Sequence, residues 1–229
     1  LCDHVKDPEL TVMRLRDCSL LAERPGDRMQ MLEPVRWFAR ERLIDSAEAD
    51  AMLGLHLDWC LDTARALGAE LEGPRVQDAL AELDADVDNL RTAMDWGITH
   101  GRGLDAARIV AATSWYWVWR GRIVETERWL HRSGIDDSAL DPADRLALLW
   151  ARSELIGIRS GVEDMLTDGL EIARAQGDQR SEARLLVSRS RYRAFSSPQE
   201  TVNEAPIERA LCRARPIGYR PLPAAGSRD

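Results

Sequence analysis

The sequence predicts a mainly all-α protein in which one short β-hairpin precedes an array of helical hairpins. Three observations predict it. Apolar residues recur at three- and four-residue spacing over most of the chain, two short apolar runs flank a Pro25-Gly26-Asp27 turn, and glycines punctuate the helical stretches at Gly101, Gly121 and Gly161.

The hairpin comes first. A helical approach leads to a strand at Leu20 to Glu23, the turn, a second strand at Arg28 to Leu32, and a helix from Glu33. Pro34 falls in that helix's first turn, where a missing N–H costs no internal hydrogen bond. This order is the outline of the last half of a winged helix.

Helices follow. Asp45 and Glu48 form a capping pair in sequence, and Leu53, Leu57, Cys60, Leu61, Ala64 and Leu67 make one apolar stripe. A helix over Val76 to Thr99 carries Leu80, Leu83, Val87, Leu90, Met94 and either Trp96 or Ile98, and Gly101 and Gly103 end it. Leu104 to Arg120 and Ile123 to His131 then form one hairpin, and Pro142 to Arg159 and Val162 to Gln176 another. Asp141-Pro142-Ala143-Asp144 places a cap, a first-turn proline and an acid in order, and Ser160 to Glu163 has capping-box spacing. A third hairpin opens near Arg180 with Leu185, Leu186 and Val187 and does not close. The domain reading is 1–45, the C-terminal part of a winged-helix region; 46–103, a linking helical hairpin; 104–195, helical repeats; and 196–229, a disordered or frameshifted tail. That tail holds five of the ten prolines and none of the eight tryptophans.

Composition narrows the function. No apolar run approaches the roughly 18 residues that span a bilayer, and no signal-peptide layout is present. Cys2, Cys18, Cys60 and Cys212 show no pairing rhythm, which fits a reducing, cytoplasmic setting. Leu1 in first place fits either a segment of a longer chain or a non-standard start codon. Thirty arginines stand against one lysine, Lys6, the usual mark of GC-rich coding. Lys6 sits in Val5-Lys6-Asp7-Pro8 with no glycine-rich turn, so the chain has no P-loop of its own. The net charge of −8, with twelve acids against three arginines over residues 48–100, argues against direct nucleic-acid binding. These acids read as a solvated helix face, or as a docking surface for a basic partner.

Constellations that could carry chemistry are sparse. Trp115, Tyr116, Trp117 and Trp119 could line an aromatic pocket, yet four neighbours point in several directions around a helix, so packing between helices is the ordinary reading. Arg120 and Arg122 flank Gly121 as a surface pair or an anion site. Cys2 and His4 lack a second pair of metal ligands, and His56, His100 and His131 are scattered. No nucleophile stands with a matching base at catalytic spacing. The expectation is a non-enzyme with no catalytic, cofactor-binding or metal residues.

Three blocks carry a resemblance. Met31-Leu32-Glu33-Pro34-Val35-Arg36-Trp37-Phe38-Ala39-Arg40-Glu41-Arg42-Leu43, Leu83 to Trp96 (Leu-Asp-Ala-Asp-Val-Asp-Asn-Leu-Arg-Thr-Ala-Met-Asp-Trp) and Trp117 to Leu130 (Trp-Val-Trp-Arg-Gly-Arg-Ile-Val-Glu-Thr-Glu-Arg-Trp-Leu) stand in one order. Together they resemble bacterial STAND-class (NB-ARC-like) regulators, including large LuxR-type and cyclase-linked transcription factors, over roughly residues 10 to 190. The resemblance implies a tetratricopeptide-like (TPR-like) sensor or scaffold arm behind a nucleotide switch, in a signal-transducing transcriptional regulator. It implies protein partners or adjoining domains of a parent regulator, admits a small-molecule effector, and places ATP or ADP only in an upstream switch domain. The family's P-loop would lie before Leu1, and its DNA-reading helix-turn-helix well downstream. Met31-Leu32-Glu33 replaces the Met-His-Asp of related eukaryotic switches, and Leu32 has no donor for a diphosphate. The alternative is a stand-alone TPR-like adaptor that binds protein ligands.

Overall fold

A computed structural model describes residues 7–24, 28–156, 161–196 and 208. Its described part is mainly helical with one antiparallel two-stranded sheet, as the sequence predicts. The order is α1 (Pro8–Asp17), β1 (Leu21–Arg24), β2 (Arg28–Met31), α2 (Glu33–Asp45), α3 (Ala49–Glu70), α4 (Val76–Thr99), α5 (Gly103–Ala112), α6 (Ser114–Trp119), α7 (Ile123–Arg132), a 3-10 turn (Asp137–Ala139), α8 (Pro142–Ile156), α9 (Val162–Gln176) and α10 (Gln179–Ser196). The chain forms two compact units that divide between Trp59 and Cys60, inside α3. The boundaries expected at 45 and 103 coincide with the end of α2 and the start of α5.

In the first unit, Asp7 caps α1 by accepting the Leu10 N–H at 3.1 Å, and Pro8 fills the first turn without losing a bond. β1 and β2 pair in the register Leu21↔Met31 to Arg24↔Arg28. Both strands differ slightly from expectation. The Leu20 N–H is taken by the Leu15 carbonyl at 2.9 Å, so pairing starts at Leu21. Leu32 is the N-cap of α2, its carbonyl accepting the Arg36 N–H at 2.8 Å, so β2 stops at Met31. The Pro25-Gly26-Asp27 turn lies outside the described residues, as do Cys2, His4 and Lys6.

The Asp45–Glu48 capping pair does not form. Asp45 is the last residue of α2 and ion-pairs with Arg42 at 3.6 Å, while the chain reverses through Ala47 in the left-handed region. Ser46 takes the bridging role, its Oγ donating to the Leu43 carbonyl at 2.7 Å and accepting the Glu48 N–H at 3.4 Å.

The second unit stacks α4 against α5, α5 against α7 and α8, α8 against α9, and α9 against α10. The expected stripe of α4 is its buried face: Leu80, Leu83, Val87, Leu90 and Met94 are in the core, and Trp96 and Ile98 are half-buried at its end. A second core joins Leu146 and Trp150 of α8, Val162, Leu166 and Leu170 of α9, and Leu185 and Leu186 of α10. Each such leucine is worth about 1.5–3 kcal/mol of burial.

The helix expected over Leu104 to Arg120 is two helices, broken at Thr113. The Thr113 hydroxyl turns back on its own helix, donating to the Ile109 carbonyl at 2.7 Å and accepting the Trp117 indole N–H at 2.9 Å. Such back-bonding bends helices. Gly68 of α3 meets α5 just before the break, where a built Cβ would lie 2.1 Å from the Ala112 carbonyl oxygen, so no larger residue fits there without movement. Gly103 does not end α4; it opens α5, pressed against Ser133 with a built Cβ 2.2 Å from that carbonyl oxygen.

Helix ends follow the sequence signals elsewhere. Asp141 accepts the Asp144 N–H at 2.8 Å ahead of Pro142. Asp178 caps α10 through the Arg180 and Ser181 N–H groups at 3.1 and 3.0 Å, which sets its start at Gln179. Ser160 and nearly all of the anticipated 196–229 tail lie outside the described residues.

Candidate functional site

The site is built from ion pairs that recur along the array. Arg91 grips Glu125 through two bonds of 2.6 and 2.8 Å, Arg108 grips Asp144 through two of 2.8 and 2.5 Å, Arg120 grips Asp84 through two of 2.9 and 2.5 Å, and Arg132 meets Asp95 at 2.6 Å. The partners are 34, 36, 36 and 37 residues apart, close to one two-helix repeat. Bidentate arginine–carboxylate geometry adds directional specificity to charge. Arg91 holds the Glu125 carboxyl below the usual carboxylate range, and Arg120, seconded by the Tyr116 hydroxyl, does the same for Asp84. The acids of residues 48–100 are therefore not all a solvated face. Glu72, Asp84, Asp88 and Asp95 are engaged by arginines of the same chain.

Between α3, α5, α8 and α10 one of these pairs, Arg108–Asp144, borders a cavity of about 410 Å³. Gly68, Ala111, Ala112, Ala143 and Ala147 give it small walls, because short side chains at the helix contacts leave space that larger ones would fill. The indoles of Trp115 and Trp150 are its flat surfaces. Four guanidiniums line it, those of Arg65, Arg108, Arg180 and Arg184, together with the carboxylates of Asp144 and Asp178.

Beneath it lies Glu72, its side chain 4% exposed. One oxygen, Oε2, accepts from Arg180 Nη2 at 3.2 Å and from Arg184 Nε and Nη2 at 3.1 and 2.6 Å. The Arg184 guanidinium also lies 4.7 Å over the Trp150 ring. Glu154 is buried nearby, bonded to Ser188 and Arg191, and burial pushes its carboxyl above the usual range against the pull of Arg191. Arg191 in turn lies 5.1 Å over the Trp115 ring. Both tryptophans are thus held by cation–π contacts.

The four aromatic candidates separate as helix geometry requires. Tyr116 and Trp117 are fully buried, Trp119 is at the surface, and Trp115 alone reaches the cavity. The Tyr116 hydroxyl donates to Asp84 at 3.1 Å, and burial, then that bond, pushes its pKa up to about 12. Arg120 is committed to Asp84, and Arg122 lies outside the cavity. Burial, with Asp86 second, pushes the Cys60 thiol up to about 12, far from a reactive thiolate. His56 stacks on Trp59, His100 stacks on Trp96, and His131 is exposed. Among the described residues no cluster of three or more His, Cys, Asp or Glu could hold a metal ion. No helix among them is long and apolar enough to cross a membrane.

The lining residues Arg180, Arg184 and Trp150, and Glu72 that holds the two arginines, carry no sequence motif. The only local hint is the i,i+4 pair Arg180 and Arg184 on one face of α10. Their partner Glu72 is 108 and 112 residues away.

No family model and no solved structure matches the chain. It is distantly related to mycobacterial proteins named "Putative HTH-type transcriptional regulator", one from Mycobacterium bovis and two from Mycobacterium tuberculosis strains, each 30% identical over 104 residues. The match takes in 45% of this chain and spans only 12% of the relatives' length.

Proposed function

We propose that this chain is a non-catalytic sensor and scaffold segment of a STAND-type, signal-transducing transcriptional regulator that works in the cytoplasm. The distant relation to HTH-type regulators supports a regulatory role. The three ordered motif blocks support the finer class, with the array as a TPR-like listening arm and residues 1–45 as the closing part of a winged helix. Two of the blocks meet in space through Arg91 and Glu125. The observation that carries the reading is the state of α1 and α2, where no residue is buried and Leu10, Met13, Leu32, Trp37, Phe38 and Ile44 stand exposed. A surface of that kind marks an interaction site, here for adjoining domains of the parent regulator.

In this mechanism the ATP or ADP switch lies upstream, DNA is read by a separate domain, and this segment contacts protein. An effector acts by favouring one arrangement of the array over another, shifting an existing equilibrium. The test is to sequence the genomic locus on both sides and translate every frame. A P-loop ATPase frame leading into Leu1 is the expected result. A ribosome-binding site directly before Leu1 in otherwise non-coding DNA would overturn it in favour of a stand-alone adaptor. Purified protein is expected to bind no ATP, and a thermal shift with millimolar ATP or ADP would contradict that.

A further inference from the structure

We propose that the cavity between α3, α5, α8 and α10 binds a small molecule that joins a flat apolar body to one carboxylate or phosphate group. This deepens the sensor reading and rests on it for what binding accomplishes in the regulator.

Size comes first. About 410 Å³ is within the range of small-ligand sites and holds a two-ring molecule. The walls then divide into two kinds. Trp115, Trp150 and the alanines are apolar, while Arg65, Arg108, Arg180 and Arg184 are basic, with Arg184 lying over the Trp150 ring.

Charge decides the sign of the ligand. Arg108 is matched by Asp144, Asp105 is shared between Arg108 and Arg102, and the Asp178 charge is offset in part by the positive end of α10, whose first N–H groups it accepts. Arg180 and Arg184 must share a single oxygen of Glu72, so this trio keeps one positive charge in excess. Arg180 Nε is in addition buried with no hydrogen-bond partner. A buried donor left unmade is costly, and an anionic oxygen would satisfy it. Arg65, also in the lining, meets Asp62 at 3.5 Å, largely in water. A cationic ligand would meet this excess charge, and a neutral one would leave the donor unmet. Because the cation–π contacts already fix both indoles, binding needs little reordering of the walls.

The experiment is calorimetric titration of the full chain with 1-naphthoate, using 1-naphthalenemethanol and 1-naphthylmethylamine as neutral and cationic probes of the same body. Naphthoate is expected to bind at least about tenfold tighter than the alcohol, and the amine weakest, which is the advantage of one charge-assisted hydrogen bond. Arg180→Gln leaves Glu72 paired with Arg184, so the fold is retained. It is expected to remove most of the preference for naphthoate while changing alcohol binding less than about twofold. Ala147→Trp places bulk at an exposed cavity wall and is expected to abolish binding of both probes with an unchanged melting curve. Equal affinity for acid and alcohol, undiminished binding in Ala147→Trp, or no naphthoate binding at millimolar concentration would each overturn the proposal. Phenyl phosphate against phenol repeats the comparison for phosphate sources. Failure here leaves the genomic-locus test of the regulator reading untouched, and failure there leaves these titrations interpretable.

Discussion

The N-terminal unit and the helical array are both rich in apolar residues, yet they use them in opposite ways. α2 carries Trp37 and Phe38 at 64% and 56% exposure, while in the array Trp117 and Tyr116 are at 0%. Both units carry bulky apolar side chains; what differs is a neighbour to cover them. In the array every helix lies against another, and ion pairs about one repeat apart tie successive hairpins together. In the first unit a hairpin of two four-residue strands and two short helices leave large apolar side chains of α1 and α2 exposed. The lesson is that apolar periodicity forecasts a helix but not its burial.

Substitutions can break that contrast. The largest expected effect is Trp117→Ala, which leaves a cavity and removes the indole N–H that the Thr113 hydroxyl accepts, with a loss of about 3–5 kcal/mol in chemical denaturation. Trp37→Ala, removing as many atoms from an exposed site, is expected to change stability by less than about 0.5 kcal/mol. Comparable losses at the two sites would show that α2 is covered after all. Next is Gly68→Ala, where the new Cβ meets the Ala112 carbonyl and about 1–3 kcal/mol is expected to be lost as the helices part. A melting curve equal to the parent's would mean α3 and α5 are free to separate.

The smallest effect is pH-dependent. Arg91 depresses the Glu125 carboxyl in the folded state, so the pair's contribution is present above the unfolded carboxylate pKa of about 4.3 and is lost as pH falls through the lower folded value. Glu125→Gln is therefore expected to cost about 1 kcal/mol at pH 7 for a half-buried pair, and progressively less below about pH 4. A penalty that stays constant down to pH 3 would place the loss in packing, not in charge.

Much of the array was legible because its signals are local. The stripe Leu80 to Met94 and the flanking glycine gave α4 its observed ends, and Gly161, at positive φ, opens α9 as the pattern predicts, with Gly177, also at positive φ, closing it. The break at Thr113 was not legible, since threonine in a helical pattern carries no sign of where its hydroxyl will turn, and the Ser46–Ala47 reversal was hidden behind the plausible Asp45–Glu48 pair. The aromatic run was readable as packing, with Trp115 its one contribution to the cavity. The cavity itself was not readable, because Gly68, Trp115, Trp150 and Arg184 meet only once four helices are stacked, and no spacing in the chain encodes that meeting.

Hydrogen exchange on the full chain, read by peptide, tests the central claim most directly: an array with a buried core, and an N-terminal unit whose helices α1 and α2 bury no side chain. Amides of α4, α5 and α9 are expected to exchange over hours and those of α1 and α2 within minutes, because opening is cheap where no side chain is buried. Protection of α2 equal to that of α4 would contradict the account.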